Sequence, residues 1–447
     1  MSDPVIRLRR FIADATSEPP PLDQVRARAR RHRRRQMIPG VAAIVVITAL
    51  VATAVALTGA SPAHHAKGIK TTPTTSTIPT RRAVPPPLPV GSAISATDVL
   101  ALQMFTVSDG VAVACVPPTS VGRSCFTWPP VQGRDYLVAT SDGGTSWTVT
   151  GPLPANVHPN QSSAVRLAFI TRSSGYVQSA DPNATLATNN AGETWSALRT
   201  HGRPTAMSLE GQSLWIISDF CPATTPNGLC SSRLLTYQPG QLSPTSDLPI
   251  PPEGEVAGGS SARTREATLL DRLGLSRAVV EEGSDGSPTS LLATSDSGRH
   301  WTALADPCGR ITPTGLVAPR TSLWILYCQL DGGMHQGWNR LYTTDNQGTS
   351  WTLVAEGTVQ GPQVGNIGPV VASDLTLSGN GRILWLLGSV FGVLSSTDGG
   401  FDWSGARVET GGYHSQVVAA GATSAWLPLP GTGLYRTSNG AIWNKLS

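Results

Sequence analysis

Beyond residue 95 the apolar residues come in short runs broken by Gly, Pro, Asn, Asp and Ser. One series occupies 165–170, 205–209, 267–270, 316–318, 375–377 and 417–420. A second follows it after a turn, as Ser213-Leu-Trp215-Ile-Ile, Ser322-Leu-Trp324-Ile-Leu, Ile383-Leu-Trp385-Leu-Leu and Ser424-Ala-Trp426-Leu. Ser174-Gly-Tyr176-Val substitutes Tyr, and Gly110-Val-Ala-Val and Leu275-Ser-Arg-Ala-Val are poorer matches. Segments of this length, rich in β-branched and aromatic residues and bounded by turn formers, read as strands. No long amphipathic helix interrupts them.

Each pair of runs leads to a recurring phrase, Ser/Thr-x-Asp/Asn-x-Gly-x-x-Trp. It appears as Thr140-Ser-Asp142-Gly-Gly144-Thr-Ser-Trp147, Thr188-Asn-Asn190-Ala-Gly192-Glu-Thr-Trp195 and Thr294-Ser-Asp296-Ser-Gly298-Arg-His-Trp301. Two further copies are Thr344-Asp-Asn346-Gln-Gly348-Thr-Ser-Trp351 and Ser396-Thr-Asp398-Gly-Gly400-Phe-Asp-Trp403, with a degenerate one at Arg436–Trp443. Asp or Asn bonds the backbone of a following residue, Gly supplies positive φ, and the Trp opens the next strand with a large ring to bury. Adjacent copies place their Trp 48, 50 and 52 residues apart. The 106-residue gap from Trp195 to Trp301 holds one decayed copy, near residues 234–239. The unit is therefore four antiparallel strands, repeated seven times. Four-stranded units of this period are the blades of a β-propeller. The fold class expected is all-β, a seven-bladed propeller, with six or eight blades as the fallback.

The phrase resembles the Asp-box, or BNR, repeat of sialidase-like propellers, a family that includes secreted sialidases, sortilin-type receptors and photosystem II assembly-factor propellers. The resemblance spans about 95–447. It implies that the Asp-box hairpins lie at the blade periphery. Asp142, Trp147, Asn190, Trp195, Asp296, Trp301, Asn346, Trp351, Asp398 and Trp403 are then structural residues, with no catalytic or metal-binding role.

Charge divides the chain. Residues 1–37 hold ten Arg against four acidic residues, and 38–57 is an uncharged run of twenty. Such a run suffices to cross a hydrocarbon core of ~30 Å. The Arg cluster on its N-terminal side orients the N-terminus to the cytoplasm. The run is longer than a cleavable signal core, so an uncleaved signal anchor over 38–58 is expected. Residues 59–94 are a Thr/Pro-rich linker, whose composition favours an extended spacer. From Val90 onward there are 19 basic and 25 acidic residues. A mildly acidic domain lacks the basic face that nucleic acid requires. With 30 Arg against three Lys, the layout resembles membrane-anchored actinobacterial proteins.

The six cysteines group as Cys115/Cys125, Cys221/Cys230 and Cys308/Cys328, each pair within one repeat. Export makes disulfides the expectation, and no His cluster or close Cys spacing points to zinc. No metal or cofactor is expected.

A sialidase is the enzymatic alternative. It needs an Arg triad for the substrate carboxylate and a Tyr nucleophile. The family's Phe/Tyr-Arg-Ile-Pro signature is absent; the nearest string is Arg310-Ile-Thr-Pro313. Tyr176, Tyr342 and Tyr435 occupy strand positions. Fold alone does not license the activity. The expected function is a binding or scaffolding module for an extracytoplasmic protein or glycan, without catalysis. Its lipid contact is through 38–58. A sensor with a cytoplasmic partner of residues 1–37 is a second alternative. Candidate ligand residues are Trp128 and Trp338, on loops longer than the repeat minimum, since Trp often anchors interfaces.

Overall fold

A computed structural model describes residues 87–117, 125, 133–154, 165–180, 183–220, 231–251, 266–274, 277–283, 290–309, 312–319, 322–331, 337–358, 372–388, 392–406, 408 and 416–446. All belong to one compact unit, Val84–Ser447. The anchor expected at 38–58 lies outside them. Among the described residues no helix is long and apolar enough to cross a membrane.

The first sheet contains β1 (Ala93–Ile94), β2 (Val99–Met104), β3 (Gly110–Val116), β4 (Arg134–Thr140) and β5 (Trp147–Pro152). The second is β6 (Arg166–Phe169), β7 (Gly175–Ala180), β8 (Asn183–Thr188) and β9 (Ser196–Ala197). The third is β10 (Arg203–Glu210), β11 (Ser213–Phe220), β12 (Ser231–Tyr237) and β13 (Ser246–Pro249). The fourth is β14 (Glu266–Gly274), β15 (Arg277–Gly283), β16 (Ser290–Thr294) and β17 (Thr302–Ala303). The fifth is β18 (Thr312–Val317), β19 (Trp324–Asp331), β20 (Gly337–Thr344) and β21 (Thr352–Thr358). The sixth is β22 (Ala372–Leu377), β23 (Leu384–Gly388), β24 (Gly392–Ser396) and β25 (Ser404–Ala406). The last is β26 (Val418–Ala420), β27 (Ser424–Leu429), β28 (Gly433–Thr437) and β29 (Asn444–Leu446).

Every sheet is an antiparallel meander in chain order, with β1 added outside β5 in the first. The sheets alternate with apolar clusters that span the seams between neighbours. Val113, Leu137, Phe169 and Val177 join the first to the second. Ile325, Tyr327, Leu375 and Leu386 join the fifth to the sixth. Trp147 and Tyr136 of the first sheet share a cluster with Trp426 and Leu434 of the last. The succession of sheets thus closes on itself: the all-β propeller. Burial of strands on both faces explains their near-continuous apolar runs.

Two boundaries differ from the sequence reading. Residues 88–94, read as the end of the linker, are packed: β1 pairs with β5, Ala93 opposite Thr148 and Ile94 opposite Trp147. In the third sheet the third and fourth strands join through 238–245 without the repeated turn; there Thr245 N donates to Thr236 O at 2.7 Å.

Candidate functional site

The alternation of strand direction sorts every connection onto one of two faces. The repeated turns, together with the links from first to second strand, lie on one. The links from second to third strand, and from each sheet to the next, lie on the other. No connection on the turn face exceeds eight residues, whereas those on the opposite face reach 17 (117–133), 16 (250–265) and 13 (153–165 and 359–371). We call the latter the loop face.

The turn face is built for rigidity. In the first turn Thr140 Oγ1 donates to Asp142 Oδ1 at 2.8 Å, and Gly144 N and Ser146 N donate to Thr140 Oγ1 and Asp142 Oδ1, both at 2.9 Å. Asn190, Asp296, Asn346 and Asp398 make the same backbone bond to the residue four on, at 2.9–3.0 Å. Asn439 of the degenerate copy accepts from Ala441 N and Ile442 N at 3.1 and 2.9 Å. Bonds to the ionised form hold the Asp142 carboxyl below the usual range against burial's upward pull. His300, through backbone N–H and ring, brings Asp296 down to about 2. Every acceptor is thus committed within its own turn.

The tryptophans knit turns and sheets together. Trp147 and Trp403 donate to the Gly carbonyl of their own turns at 3.0 and 2.8 Å. Trp195 reaches Pro152 O at 2.9 Å and Trp351 reaches Ala305 O at 2.7 Å, each in the preceding sheet's outer segment. Trp301 Nε1 is buried without an acceptor. Only Trp147 of the five begins its strand; the other four sit one residue before theirs.

The loop face is chemically different. At its end of the second sheet Arg166, Gln178 and Thr185 lie directly opposite one another across β6, β7 and β8. Arg166 Nη1 crosses the seam to Thr205 O at 2.8 Å, so this polar row faces the third sheet. The corresponding row of the third sheet is Arg203, Asp219 and Ser232, and that of the fifth is Thr312, Gln329 and Asn339. Asp135, Gln178, Thr185, Asp219, Ser232, Gln329 and Asn339 are all under a tenth exposed. Five buried polar atoms near this end lack a protein partner: Arg134 Nε, Gln178 Oε1, Thr185 Oγ1, Thr314 Oγ1 and Gln329 Oε1. A buried group left unsatisfied costs roughly 1–3 kcal/mol, so their concentration at one face calls for an explanation. In the last two sheets the matching ends are Gly388 opposite Gly392 and Leu429 opposite Gly433.

Two disulfides brace this face. Cys115 pairs with Cys125, and Cys308 pairs with Cys328, clamping the segment before the fifth sheet onto β19. Cys221 and Cys230 lie outside the described residues, as does Trp128. Trp338 lies on β20, opposite Leu330 and Thr358, within a strand and not in a free loop. The polar rows were missed in the sequence; their signal is a polar residue closing an apolar run, as in Tyr176-Val-Gln178 and Tyr327-Cys-Gln329. Among the described residues no three metal-ligating side chains cluster.

No family model matches the chain, and none of the curated proteins matches it. Solved structures do. YCF48 bound to D1 peptide is 16% identical, with 64% of this chain and 82% of that one covered and a TM-score of 0.39. The Dos1 propeller is 13% identical, with 80% and 88% covered and a TM-score of 0.45. An ancestral GH74 enzyme is 12% identical, with 80% and 47% covered and a TM-score of 0.49.

Proposed function

We propose that this chain is an Asp-box propeller of the sialidase-like superfamily, anchored by a single span at 38–58 and displayed outside the cytoplasmic membrane. There it acts as a binding or scaffolding module for a protein or glycan, without catalysis. The observation that carries the reading is the asymmetry of the two faces. The turn face is short-looped and hydrogen-bonded within itself, while the loop face holds the long connections and the unpartnered amide and hydroxyl groups. Neutral donors and acceptors of this kind suit the backbone of a peptide or the hydroxyls of a sugar.

Photo-crosslinking in cells tests it on the full chain. A photoreactive residue at Arg203, exposed where β10 leaves the loop face, should capture a partner, and one at the exposed Ser438 of the turn face should not. Capture from Ser438 alone, or from neither site, defeats the reading. So does robust turnover of fluorogenic sialosides by the purified chain.

A further inference from the structure

In this ring the first sheet is completed by residues from the N-terminal side and the last entirely from the C-terminal side, so no exchanged strand bolts the two together. Their seam is held by side chains. Trp426 Nε1 donates to Gly143 O at 2.8 Å, Arg436 lies over the Trp426 ring at 5.0 Å, and Arg436 Nη2 reaches Val107 O at 3.3 Å. A further component is the lead-in segment. Leu88 N donates to the Tyr136 hydroxyl at 2.9 Å, Gly91 N donates to Val149 O at 2.8 Å, and Val149 N returns a bond to Ser92 O at 2.9 Å. Past β1 the chain makes a short 3-10 turn over Ala96–Asp98 before starting the innermost strand β2 at Val99. Ala96 is 3% exposed and belongs to the same apolar cluster as Trp147, Trp426 and Leu434. Leu88 and Ile94 pack against that cluster.

We propose that residues 88–98 form a closing strap, a segment inserted at the seam of first and last sheets that makes closure of the ring depend on the chain leading into it. The strap runs along the outer edge of one sheet and then across to its inner edge, in contact with both partners of the seam. Displacing it exposes Trp147, Trp426 and Leu434 together and leaves the other seams intact. The strap directly follows the Thr/Pro-rich segment in the chain, so force or cleavage applied to that segment acts on this seam first. That last consequence rests on the membrane-anchored reading; the strap itself does not.

Asp98 gives the strap a chemical handle. Burial raises its carboxyl to about 6. The groups on elements beside it are Tyr435 and Arg436 of β28 and Lys445 of β29, and β3 carries none beyond the disulfide-bonded Cys115. Arg436 is engaged with Trp426 and Val107 O, and no counter-ion enters among the causes of the Asp98 shift. A carboxyl raised in the folded state destabilises it once ionised, so the strap is tightest below the ordinary range and loosens as pH rises through about 6.

Hydrogen exchange by mass spectrometry on the full chain tests the strap. Ala96→Glu should speed exchange at least tenfold in β2, β3, β27 and β28, with β11, β12, β19 and β20 unchanged. Should that variant not fold, Ala96→Gly should give the same pattern with smaller amplitude. Once rates are divided by the intrinsic base-catalysed rate at each pH, Asp98→Asn should abolish the loss of protection at the first and last sheets between pH 5 and 7. Uniform acceleration across all sheets, or none at the first and last, overturns the strap. Loss of the chain from the membrane fraction would instead refute only the anchoring, and leaves the exchange pattern untouched.

Discussion

The repeated turn demands left-handed backbone at two successive positions, and three copies fill the first with a residue that resists it. Gly143 and Gly399 have φ of 75° and 79° where Ala191, Ser297 and Gln347 have 57°, 64° and 59°. A side chain in this region costs roughly 1–2 kcal/mol, while glycine gives back about 0.5–1 kcal/mol through the freedom of the unfolded chain. Ala191→Gly, Ser297→Gly and Gln347→Gly should therefore each stabilise by about 0.5–1 kcal/mol, and their combination by about 1.5–3 kcal/mol, since distant sites add. With unfolding entropy near 2.1 cal/mol/K per residue over a propeller of about 360 residues, the triple variant should melt about 2–4 °C higher. Two reverse substitutions calibrate the scale. A Cβ at Gly399 meets nothing within 4 Å, so Gly399→Ala reports backbone strain alone. A Cβ at Gly143 would stand 2.8 Å from Val107 O and 2.5 Å from Arg436 Nη1, so Gly143→Ala should cost clearly more. Calorimetric melting of the six variants and the parent decides the matter. A triple variant no more stable than the parent, or equal costs at Gly143 and Gly399, would refute the reasoning.

Other consequences are open to simple assays. Asp296 contributes stability that is present above the ordinary carboxylate range and is lost as pH falls through about 2. Asp296→Asn should flatten that acid limb while the turn persists, because Asn190 and Asn346 already serve in the same place; thermal melts from pH 2 to 5 read it. Replacing Cys308 and Cys328 together by Ser opens a link between residues 20 apart, for an expected loss of about 3 kcal/mol in urea unfolding; an unchanged midpoint counts against the clamp. Trp385→Phe strands Gly440 O, which now accepts from Trp385 Nε1 at 3.0 Å. It should cost about 1–3 kcal/mol, detectable as faster exchange in β23 and β28. Gln329→Met removes a buried unpartnered oxygen and should hold or raise stability while weakening capture of a loop-face ligand.

The propeller was legible because its spacing is carried by residues that do one job. A Trp that must bury its ring, and an Asp or Asn that must bond four residues on, recur wherever that turn recurs. Where the job is done otherwise, the signal vanishes. The third sheet closes its outer hairpin with Thr236 and Thr245 in place of the repeated turn, and only the doubled interval from Trp195 to Trp301 betrays it. The strap was illegible for a related reason. Gly91-Ser-Ala-Ile-Ser offers two strand residues and no alternation, and its partners are found 40 to 340 residues away, in Tyr136, Trp147 and Leu434. Likewise Trp426 and Trp385 announce buried rings, yet nothing local to them says that their N–H groups reach into the next sheet's turn.

The polar rows belong to a third class, in which the sequence carries the residues but not the register that gives them meaning. Gln178, Asp219 and Gln329 each interrupt an apolar run at the end of a second strand, but a single interruption reads as a strand end meeting solvent. Register changes its meaning. Once Gln178 is set opposite Arg166 and Thr185, and Gln329 opposite Thr312 and Asn339, the polar residues form transverse rows in which Gln178, Thr185, Gln329 and Asn339 are buried. Rows of this kind are absent where the sixth and seventh sheets put Gly388, Gly392, Leu429 and Gly433 at the same level. Among the described ends, the loop face is thus polar at the second, third and fifth sheets and apolar at the sixth and seventh. The buried unpartnered amides are Gln178 on the second sheet and Gln329 on the fifth, so a ligand that satisfies them approaches over those sheets. The closing seam joins the first sheet to the last, away from the sheets that carry Gln178 and Gln329, so opening the strap and satisfying those amides are separable events in the same ring.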